Sequence, residues 1–366
     1  MVKIKNIEVK NFKSIKEMNL KLENINIFIG ANGAGKSNFI SLFEMLDSIS
    51  KERFRNWVRE NVGAENILHF GLKESNFLSV EIEFDQNKYS FILQPQKDGS
   101  LYFNKEKIGY YTINEKFSET IIGQGHSETK IYDYQKITLN ANGYSGIPDY
   151  IVDGLQNWKV YHFHDTSATS KMKQPASIKN NKTLENDASN LAGNLYYLKK
   201  INPQLLEKIE SYIRLILPYF DKFVLEPYGQ NPQKINLEWL HYNSDKTFGA
   251  YQLSDGTLRF ICLVTLLHQN IPPKVIIIDE PELGLHPYAI TVLADIIKKQ
   301  SSSTQIFIAT QSIELINEML PEDIIVVDNI EGASTFKRLR QEELEKWLED
   351  YSLGEIWQKN LLGGRP

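Results

Sequence analysis

Apolar and polar positions in the C-terminal part of the chain follow two patterns, short apolar runs and segments of helical spacing. Residues 275–278 form a β-branched run that predicts a buried strand, and residues 287–299 predict a helix with proline at its first turn. Strands that alternate with helices indicate a mainly parallel sheet. The same patterns predict a helix at 258–267, strands at 306–309 and 324–327, and helices at 313–319 and 342–348.

In the N-terminal part, apolar residues mostly alternate with polar ones. Residues 78–84 and 89–93 alternate on either side of a turn at 85–87, which predicts a hairpin in a β-rich stretch from 76 to 140. We expect an antiparallel layer there. Residues 165–187 are polar and predict a long surface loop. Further predictions are three strands within 2–29, a mixed stretch with helical character at 51–75, helices near 186–200 and 203–217, and strands at 223–225 and 235–240.

Composition narrows the class of protein. The chain has 366 residues, of which 42% are hydrophobic and 24% charged, as in an ordinary globular protein. Its formal net charge of -5 excludes a global basic field, so any nucleic-acid site would be local. Cys262 is the only cysteine, and no apolar run approaches the length of a membrane span. We therefore expect a soluble cytoplasmic protein.

Residues 30–37 read Gly-Ala-Asn-Gly-Ala-Gly-Lys-Ser, the G-x-x-x-x-G-K-[ST] pattern of a phosphate-binding loop. An apolar run precedes this loop and a helical pattern follows it, so backbone N–H groups and a helix N-terminus would face a phosphate chain. Lys36 would supply a charge to the β/γ-phosphates, and the Ser37 hydroxyl would hold Mg²⁺. The predicted contacts to ATP are Asn32, Gly33, Ala34, Gly35, Lys36, Ser37 and Asn38.

Two acids, Asp279 and Glu280, follow the apolar strand predicted at 275–278, which is the Walker B pattern. Asp279 would hold Mg²⁺ directly or through water. Glu280 would act as the base that orients or activates the attacking water. Together with the phosphate loop, the pair predicts ATP hydrolysis.

Residues 253–257 read Leu-Ser-Asp-Gly-Thr and resemble the L-S-G-G-Q signature of ABC-type ATPases. Ser254 is a good helix N-cap, and Gly256 permits close approach of another backbone. Asp255 stands where the signature has glycine, and Arg259, one turn later, is a candidate partner for its carboxylate. In this family the signature closes over the γ-phosphate held by a partner, so the resemblance implies a head-to-tail dimer.

The resemblance becomes specific at residues 279–287, which read Asp-Glu-Pro-Glu-Leu-Gly-Leu-His-Pro. This run resembles the RecF/SMC-like branch of ABC ATPases, and within it the stand-alone "AAA family" ATPases related to OLD-nuclease heads. Residues 11–15, the signature, residues 351–357 and residues 363–366 stand in the order which that group shows. The resemblance is weakest over roughly 76–160.

The resemblance implies roles for further residues. Lys13 and Ser14 would contact the nucleotide, and residues 281–285 would form the D-loop across the dimer interface. Gln311 stands where many relatives have a histidine that senses the γ-phosphate. Because glutamine cannot carry charge or move a proton at neutral pH, we expect slow hydrolysis. Residues 67–71 stand at about the position of the Q-loop, but they contain no glutamine.

Weaker signals leave alternatives open. His162 and His164 lie on one face of a strand and could begin a metal site or be structural. The lysines of the polar loop could contact nucleic-acid phosphates or lie in solvent. Residues 363–366 could dock on a partner or fray. The loop lysines are Lys171, Lys173, Lys179 and Lys182.

The predicted fold class is an α/β P-loop NTPase of the ABC-ATPase head type, with a mixed sheet, an added antiparallel layer and a helical insertion. Lobe I would span residues 1–165, the surface loop and helical insertion 166–222, lobe II 223–330, and the C-terminal helices and tail 331–366.

The predicted function is an ATP switch that dimerises on ATP with Mg²⁺ and hydrolyses it slowly. It would regulate a partner effector, for example a TOPRIM-like nuclease, in anti-phage defence or genome maintenance. The alternatives are a RecF-like ATP-dependent DNA-binding repair clamp and, less favoured, a transporter ATPase subunit. DNA or RNA is a further candidate partner.

Overall fold

The computed structural model describes residues 3–111, 116–142, 146–229 and 231–364. The chain forms two compact units, of which the first comprises residues 1–158 and 320–366 and the second residues 159–319. The phosphate loop thus belongs to the first unit, whereas the signature, the Walker B acids and Gln311 belong to the second. The four segments predicted from the sequence have boundaries that differ from those of the two units, and they remain a prediction. Residues 365 and 366 of the predicted tail lie outside the described residues.

The first unit begins with strands and short helices on both sides of the phosphate loop. Its elements up to residue 158 are β1 (Ile4–Phe12), β2 (Ile15–Lys21), β3 (Ile25–Ile29), α1 (Lys36–Ser50), α2 (Phe54–Glu60), α3 (Ala64–Ile67), β4 (Leu78–Phe84), β5 (Asn87–Pro95), β6 (Leu101–Tyr111), β7 (Phe117–Gly123), α4 (Ile131–Asn142) and α5 (Ile147–Gln156), and β8 (Trp158–Tyr161) begins at its boundary.

An antiparallel sheet with the strand order β2-β1-β4-β5-β6-β7 confirms the predicted layer. Ile82 faces Ile7 on one side and Tyr89 on the other, and all three side chains are fully buried. Alternate residues of β4 are buried, as the period of two predicted. The expected β-rich stretch is wrong at its end, because residues 131–142 form α4. Thr138 there donates its hydroxyl proton to the Tyr134 carbonyl one turn earlier, a bond of helical spacing.

The second unit contains the predicted strand and helix alternation. Its elements are β9 (Ala176–Ser177), α6 (Leu191–Ile201), α7 (Pro203–Ile216), β10 (Phe220–Val224), β11 (Pro227–Tyr228), β12 (Asn231–Ile235), β13 (Glu238–His241), β14 (Thr247–Gly249), α8 (Asp255–Leu267), β15 (Val275–Asp279), α9 (Pro287–Gln300), β16 (Gln305–Thr310) and α10 (Ile313–Asn317).

Strands β15 and β16 are parallel, with Ile277 opposite Phe307, as predicted for strands that alternate with helices. Both strands are almost wholly buried, which explains their continuous apolar sequences. The helix α8 is buried along most of its length and packs on α9. Two small antiparallel sheets, β10-β13-β14 and β11-β12-β9, complete this unit.

The polar stretch 165–187 is more structured than the predicted surface loop. It contains a 3-10 turn at Lys171–Lys173 and the strand β9. Asn181 is buried, and its Nδ2 donates to the Ser177 carbonyl while its own carbonyl accepts from Asn194. One asparagine of this polar stretch is therefore buried and hydrogen-bonded rather than solvated.

The chain returns to the first unit with β17 (Ile324–Ile330), β18 (Ala333–Arg338), α11 (Gln341–Leu348) and α12 (Leu353–Gln358). Strand β17 runs parallel to β3 and antiparallel to β18. Helix α12 lies within the segment predicted as C-terminal helices and tail, and Ser352 and Glu355 form a capping box at its start. None of the helices in the described ranges combines the length and the apolar character that crossing a bilayer requires.

Candidate functional site

The phosphate loop joins β3 to α1, which confirms the predicted strand, loop and helix. Gly33 and Gly35 have φ angles of 80° and 121°, in the left-handed region that favours glycine. The ammonium of Lys36 donates to the carbonyl oxygens of Gly30 at 2.6 Å and Ala31 at 3.0 Å. The loop therefore curls around its own lysine. Asn32, Gly33 and Ser37 are exposed, so this face of the loop is open to a ligand.

A hydroxyl on β18 supports the loop from the other side. Ser334 Oγ donates to the Ala34 carbonyl at 2.6 Å and lies 2.6 Å from Ser14 Oγ. Because the Ser334 proton is used for Ala34, Ser14 must donate to Ser334, and Asn38 Nδ2 in turn donates to Ser14 at 2.6 Å. A Cβ on Gly35 would lie 2.0 Å from Ser334 Oγ. Ser334 was missed in the sequence, where no local pattern marks it.

Lys13 lies in a tight turn with φ 47°, next to α1. Its ammonium donates to Ser41 Oγ at 2.6 Å and lies 5.7 Å and 5.9 Å from the ring centroids of Phe12 and Trp57. Burial lowers the pKa of Lys13. The hydroxyl of Ser14 belongs to the chain of hydrogen bonds from Asn38 to Ala34. Contacts of Lys13 and Ser14 with a nucleotide stay a prediction.

In the second unit, the signature residues begin α8. Ser254 is the N-cap, since its Oγ accepts from the Thr257 backbone N–H at 3.1 Å. A Cβ on Gly256 would lie 2.1 Å from the Gly284 carbonyl oxygen, so this glycine lets residues 281–285 approach the helix. The close approach expected of Gly256 is thus present within the chain.

The partner of Asp255 differs from the one suggested by the sequence. Lys173 Nζ lies 3.3 Å from the Asp255 carboxylate and also donates to the Thr166 carbonyl at 2.5 Å. Arg259 instead donates to the backbone carbonyls of Phe163 and His164, at 2.9 Å and 3.2 Å. The suggestion of Arg259 was wrong because the buried guanidinium satisfies main-chain acceptors, whereas the exposed carboxylate meets a lysine from a distant turn.

Asp279 ends the buried strand β15, and Glu280 follows with its backbone N–H bonded to the Ala309 carbonyl at 2.8 Å. Glu280 has φ 43°, a left-handed conformation that costs about 1 kcal/mol or more for a residue with a side chain. Gln311 Nε2 lies 3.4 Å from Glu280 Oε1. The structure therefore brings together the predicted base and the predicted γ-phosphate sensor.

Glu282 is a further acid whose role the sequence did not reveal. Its Oε1 accepts from Thr310 Oγ1 at 2.6 Å and from the Gln311 backbone N–H at 3.2 Å, while the buried Oε2 has no hydrogen-bond partner in the described structure. Burial is the main cause that raises the pKa of Glu282, and the Glu280 charge adds to it. Glu282 thereby ties residues 281–285 to the end of β16.

His162, His164 and Asp279 form a cluster in which one donor atom of each residue lies within 4.8 Å of the others. The sequence had shown only the two histidines, with no third ligand. Residues 67–71, at about the position of the Q-loop, lie in the first unit beside the turn at 11–15, where the Lys13 N–H donates to the Ile67 carbonyl at 2.8 Å. The predicted metal ligand Ser37 is exposed on the first turn of α1.

Comparison with known proteins assigns the family. Residues 25–317 match the family described as "AAA domain, putative AbiEii toxin, Type IV TA system". The chain belongs to this family. The match begins at β3 and includes the phosphate loop, the signature and the Walker B acids. None of the curated proteins searched matches the chain.

Solved structures show the same fold. The chain is similar to an SmcHead bound to the C-winged helix domain of ScpA, with a TM-score of 0.57 and 16% identity over 94% of this chain and 99% of that one. It is also similar to an Smc head domain with an extended coiled coil bound to the C-terminal domain of ScpA from Pyrococcus furiosus. That TM-score is 0.55, with 15% identity over 96% and 99% of the two chains. The fold is therefore that of a P-loop NTPase of the RecF/SMC-like ABC type.

Proposed function

We propose that this chain binds ATP with Mg²⁺ and hydrolyses it slowly, and that ATP joins two copies head to tail. The observation that carries the proposal is the glycine loop between β3 and α1, with the Lys36 ammonium over its carbonyls and Ser37 exposed at the helix start. A helix N-terminus, free N–H groups and a lysine form an anion site suited to a triphosphate. Membership of an ATPase-domain family supports the same ligand.

The chemistry of the second unit suits hydrolysis. Asp279 would hold Mg²⁺, because carboxylate oxygens are ligands that this ion prefers, and the Ser37 hydroxyl of the first unit stays a predicted ligand. Glu280 would accept a proton from the attacking water, and Gln311, already 3.4 Å from Glu280, would orient that water or the γ-phosphate. Ser254 and Gly256, at the N-terminus of α8, would close over the γ-phosphate held by the other copy.

Replacement of the base tests the mechanism. Glu280→Gln keeps the size of the side chain but removes its basicity, so hydrolysis should fall at least about 100-fold while ATP still binds. Light scattering after size exclusion should then show a stable dimer with ATP and Mg²⁺. The matched control is Glu185→Gln, an exposed acid of the same unit. A Glu280→Gln chain that stays monomeric with bound ATP would contradict the composite site.

We further propose that the ATP switch regulates a partner effector, such as a TOPRIM-like nuclease, in anti-phage defence or genome maintenance. The family description supports a partnership, since its words "toxin" and "Type IV TA system" refer to toxin–antitoxin pairs. Co-expression with the product of the adjacent open reading frame, followed by affinity capture with and without ATP, tests it. Capture that does not change with ATP would contradict regulation by this switch.

A RecF-like clamp on DNA is the second candidate, favoured by the exposed lysines 171, 179 and 182. Such a clamp should bind DNA in an ATP-dependent manner, with affinity that falls as salt rises because counterions are released. Fluorescence anisotropy at two salt concentrations measures this. If no binding occurs at low salt, the clamp is excluded. Lys171 already pairs with Asp187 at 2.9 Å, so Lys179 and Lys182 are the ones to replace.

A further inference from the structure

The segment after β8 presents two imidazoles on one face. His162 and His164 are exposed, whereas Phe163 between them is 3% exposed and packs against Tyr161, with ring centroids 5.8 Å apart. Because side chains alternate along an extended chain, burial of Phe163 fixes both histidines on the opposite side. Their ring centroids lie 6.2 Å apart.

The backbone of this segment is held at three points. The His162 N–H donates to the Asn186 carbonyl at 3.0 Å. The buried guanidinium of Arg259 donates to the carbonyls of Phe163 and His164. Burial of the Arg259 guanidinium costs free energy, since it brings a charge out of water. Its hydrogen bonds to the two main-chain carbonyls offset part of that cost. These bonds position the two imidazoles before any ligand arrives.

Asp279 completes a set of three donors. One nitrogen of each histidine and one Asp279 oxygen lie within 4.8 Å of one another. Donors bound to one tetrahedral ion at about 2.1 Å are about 3.4 Å apart, so the set closes with a shift of at most about 1.4 Å. Exposed imidazoles can make that movement by rotation of χ1 and χ2, and two nitrogens with one oxygen leave an open position for water or a phosphate oxygen.

We propose that His162, His164 and Asp279 bind one divalent transition-metal ion of the Zn²⁺ or Co²⁺ class. Imidazole nitrogen suits these ions, whereas Mg²⁺ prefers oxygen ligands and keeps most of its water. The proposed metal site rests on the proposed function in one respect, because Asp279 is also the predicted ligand of the Mg²⁺ that accompanies ATP. A transition ion held here would therefore replace Mg²⁺ at Asp279 or compete with it.

Cobalt titration tests the site without ATP. The full-length chain, stripped of metal and free of nucleotide, is titrated with Co²⁺ while the visible d–d absorption of the bound ion is followed. We expect about one Co²⁺ per chain, displaced by Zn²⁺. His162→Ala/His164→Ala and Asp279→Asn should each weaken binding at least about 10-fold, the lower end of what loss of even an outer-shell partner costs.

Controls separate the site from general effects. His241→Ala removes a histidine of the same unit that lies on β13 and outside the cluster, so its Co²⁺ affinity should match the wild type. Circular dichroism of each metal-free variant checks the fold, and the single variants His162→Ala and His164→Ala replace the double variant if it unfolds. Co²⁺ binding that is unchanged by loss of the histidines, or unchanged by Asp279→Asn, overturns the proposal.

A nucleotide-binding variant distinguishes this inference from the proposed function. Lys36→Ala should lose ATP binding but keep Co²⁺ binding, because Lys36 is not among the three donors. If the wild-type chain binds Co²⁺ through the histidines and does not bind ATP, the proposed function fails and the metal site stands. If the wild-type chain binds ATP but replacement of the histidines leaves the Co²⁺ affinity unchanged, the metal-site proposal is wrong and the proposed function stands.

Discussion

The two units stabilise their functional residues in different ways. In the first unit, the phosphate loop is held by donors directed at its backbone, since Lys36 bonds to Gly30 and Ala31 and Ser334 bonds to Ala34. In the second unit, carboxylates do this work, as in the contacts between Lys173 and Asp255 or between Glu282 and Thr310. Backbone shape therefore governs the first region, and carboxylate charge governs the second.

Buried carboxylates show the same difference. Glu106 of the first unit is fully buried and accepts hydrogen bonds from Tyr89, Thr129 and the Lys130 backbone N–H. In the second unit, the buried Oε2 of Glu282 has no partner in the described structure, and Glu210 accepts from the Phe223 N–H. Burial raises the pKa of both second-unit acids. The second unit thus carries two carboxylates that resist ionisation, of which Glu282 lies next to Gln311.

The largest effect should come from an added methyl group in the phosphate loop. In Gly35→Ala, the new Cβ would meet Ser334 Oγ at 2.0 Å in a backbone with φ 121°, so the loop must deform. We expect at least about a 100-fold loss of affinity for a fluorescent ATP analogue, since an anion site built from backbone N–H groups depends on their geometry.

Gly33→Ala is the matched control for that experiment. Gly33 also has a positive φ, 80°, but nothing lies within 4 Å of the position of its Cβ. This substitution should cost about 1–2 kcal/mol of backbone strain without a clash. Equal loss of ATP affinity in both variants would show that strain alone, not the contact with Ser334, explains the result.

The next effect concerns pH and belongs to the second unit. The pKa of Glu210 is raised to about 7, mainly because burial disfavours the charged form. Between about pH 4.5 and 7 the folded chain holds a proton there that the unfolded chain has released, so the free energy of unfolding falls as pH rises through this window. The fall amounts to at most about 3 kcal/mol at 1.36 kcal/mol per pKa unit.

Glu210→Gln should remove that fall, because the amide does not titrate. Chemical denaturation of wild type and variant at several pH values measures the difference in slope, and Glu185→Gln serves as the exposed control. Parallel stability curves for wild type and Glu210→Gln would mean that Glu210 is ionised in the folded protein at all these pH values.

The features that could be predicted from the sequence are those that depend on local motifs. The phosphate loop, the Walker B strand and the Ser254 cap depend on neighbours in sequence, and the structure has each in the expected strand, loop or helix. Ser334 and Glu282 could not be predicted, because Ser334 contacts Ala34 across 300 residues and Glu282 contacts Thr310 across 28. The third member of the His162 and His164 cluster was missed for the same reason.

Gly256→Ala should break the contrast between the units, since shape decides here within the second unit. The added Cβ would lie 2.1 Å from the Gly284 carbonyl, whereas Gly249, in the same unit, has nothing within 4 Å and provides the control. We expect a loss of about 1–3 kcal/mol in stability from the overpacked contact. The ATP affinity of Gly256→Ala should stay near that of the wild type, whereas its ATP-dependent dimer should be lost. A Gly256→Ala dimer as stable as the wild-type dimer would contradict the proposed role of residues 253–257 in dimerisation.

The smallest effect should come from the ion pair beside the signature. Lys173→Met removes the ammonium that lies 3.3 Å from Asp255, whose side chain is 65% exposed. The Lys173 side chain itself is only 8% exposed, but the carboxylate lies in solvent and the pair is therefore screened, so we expect it to contribute about 1 kcal/mol and the fold to persist. The freed Asp255 charge would repel the γ-phosphate of the second copy, and ATP-dependent dimerisation should weaken by about 3- to 5-fold at that energy.

Asp255→Gly should restore dimerisation in the Lys173→Met background because it removes the repulsion, and Lys171→Met, in the same turn, should change nothing. If Asp255→Gly fails to rescue, Lys173 acts through its bond to the Thr166 carbonyl, and even this part of the second unit is governed by shape.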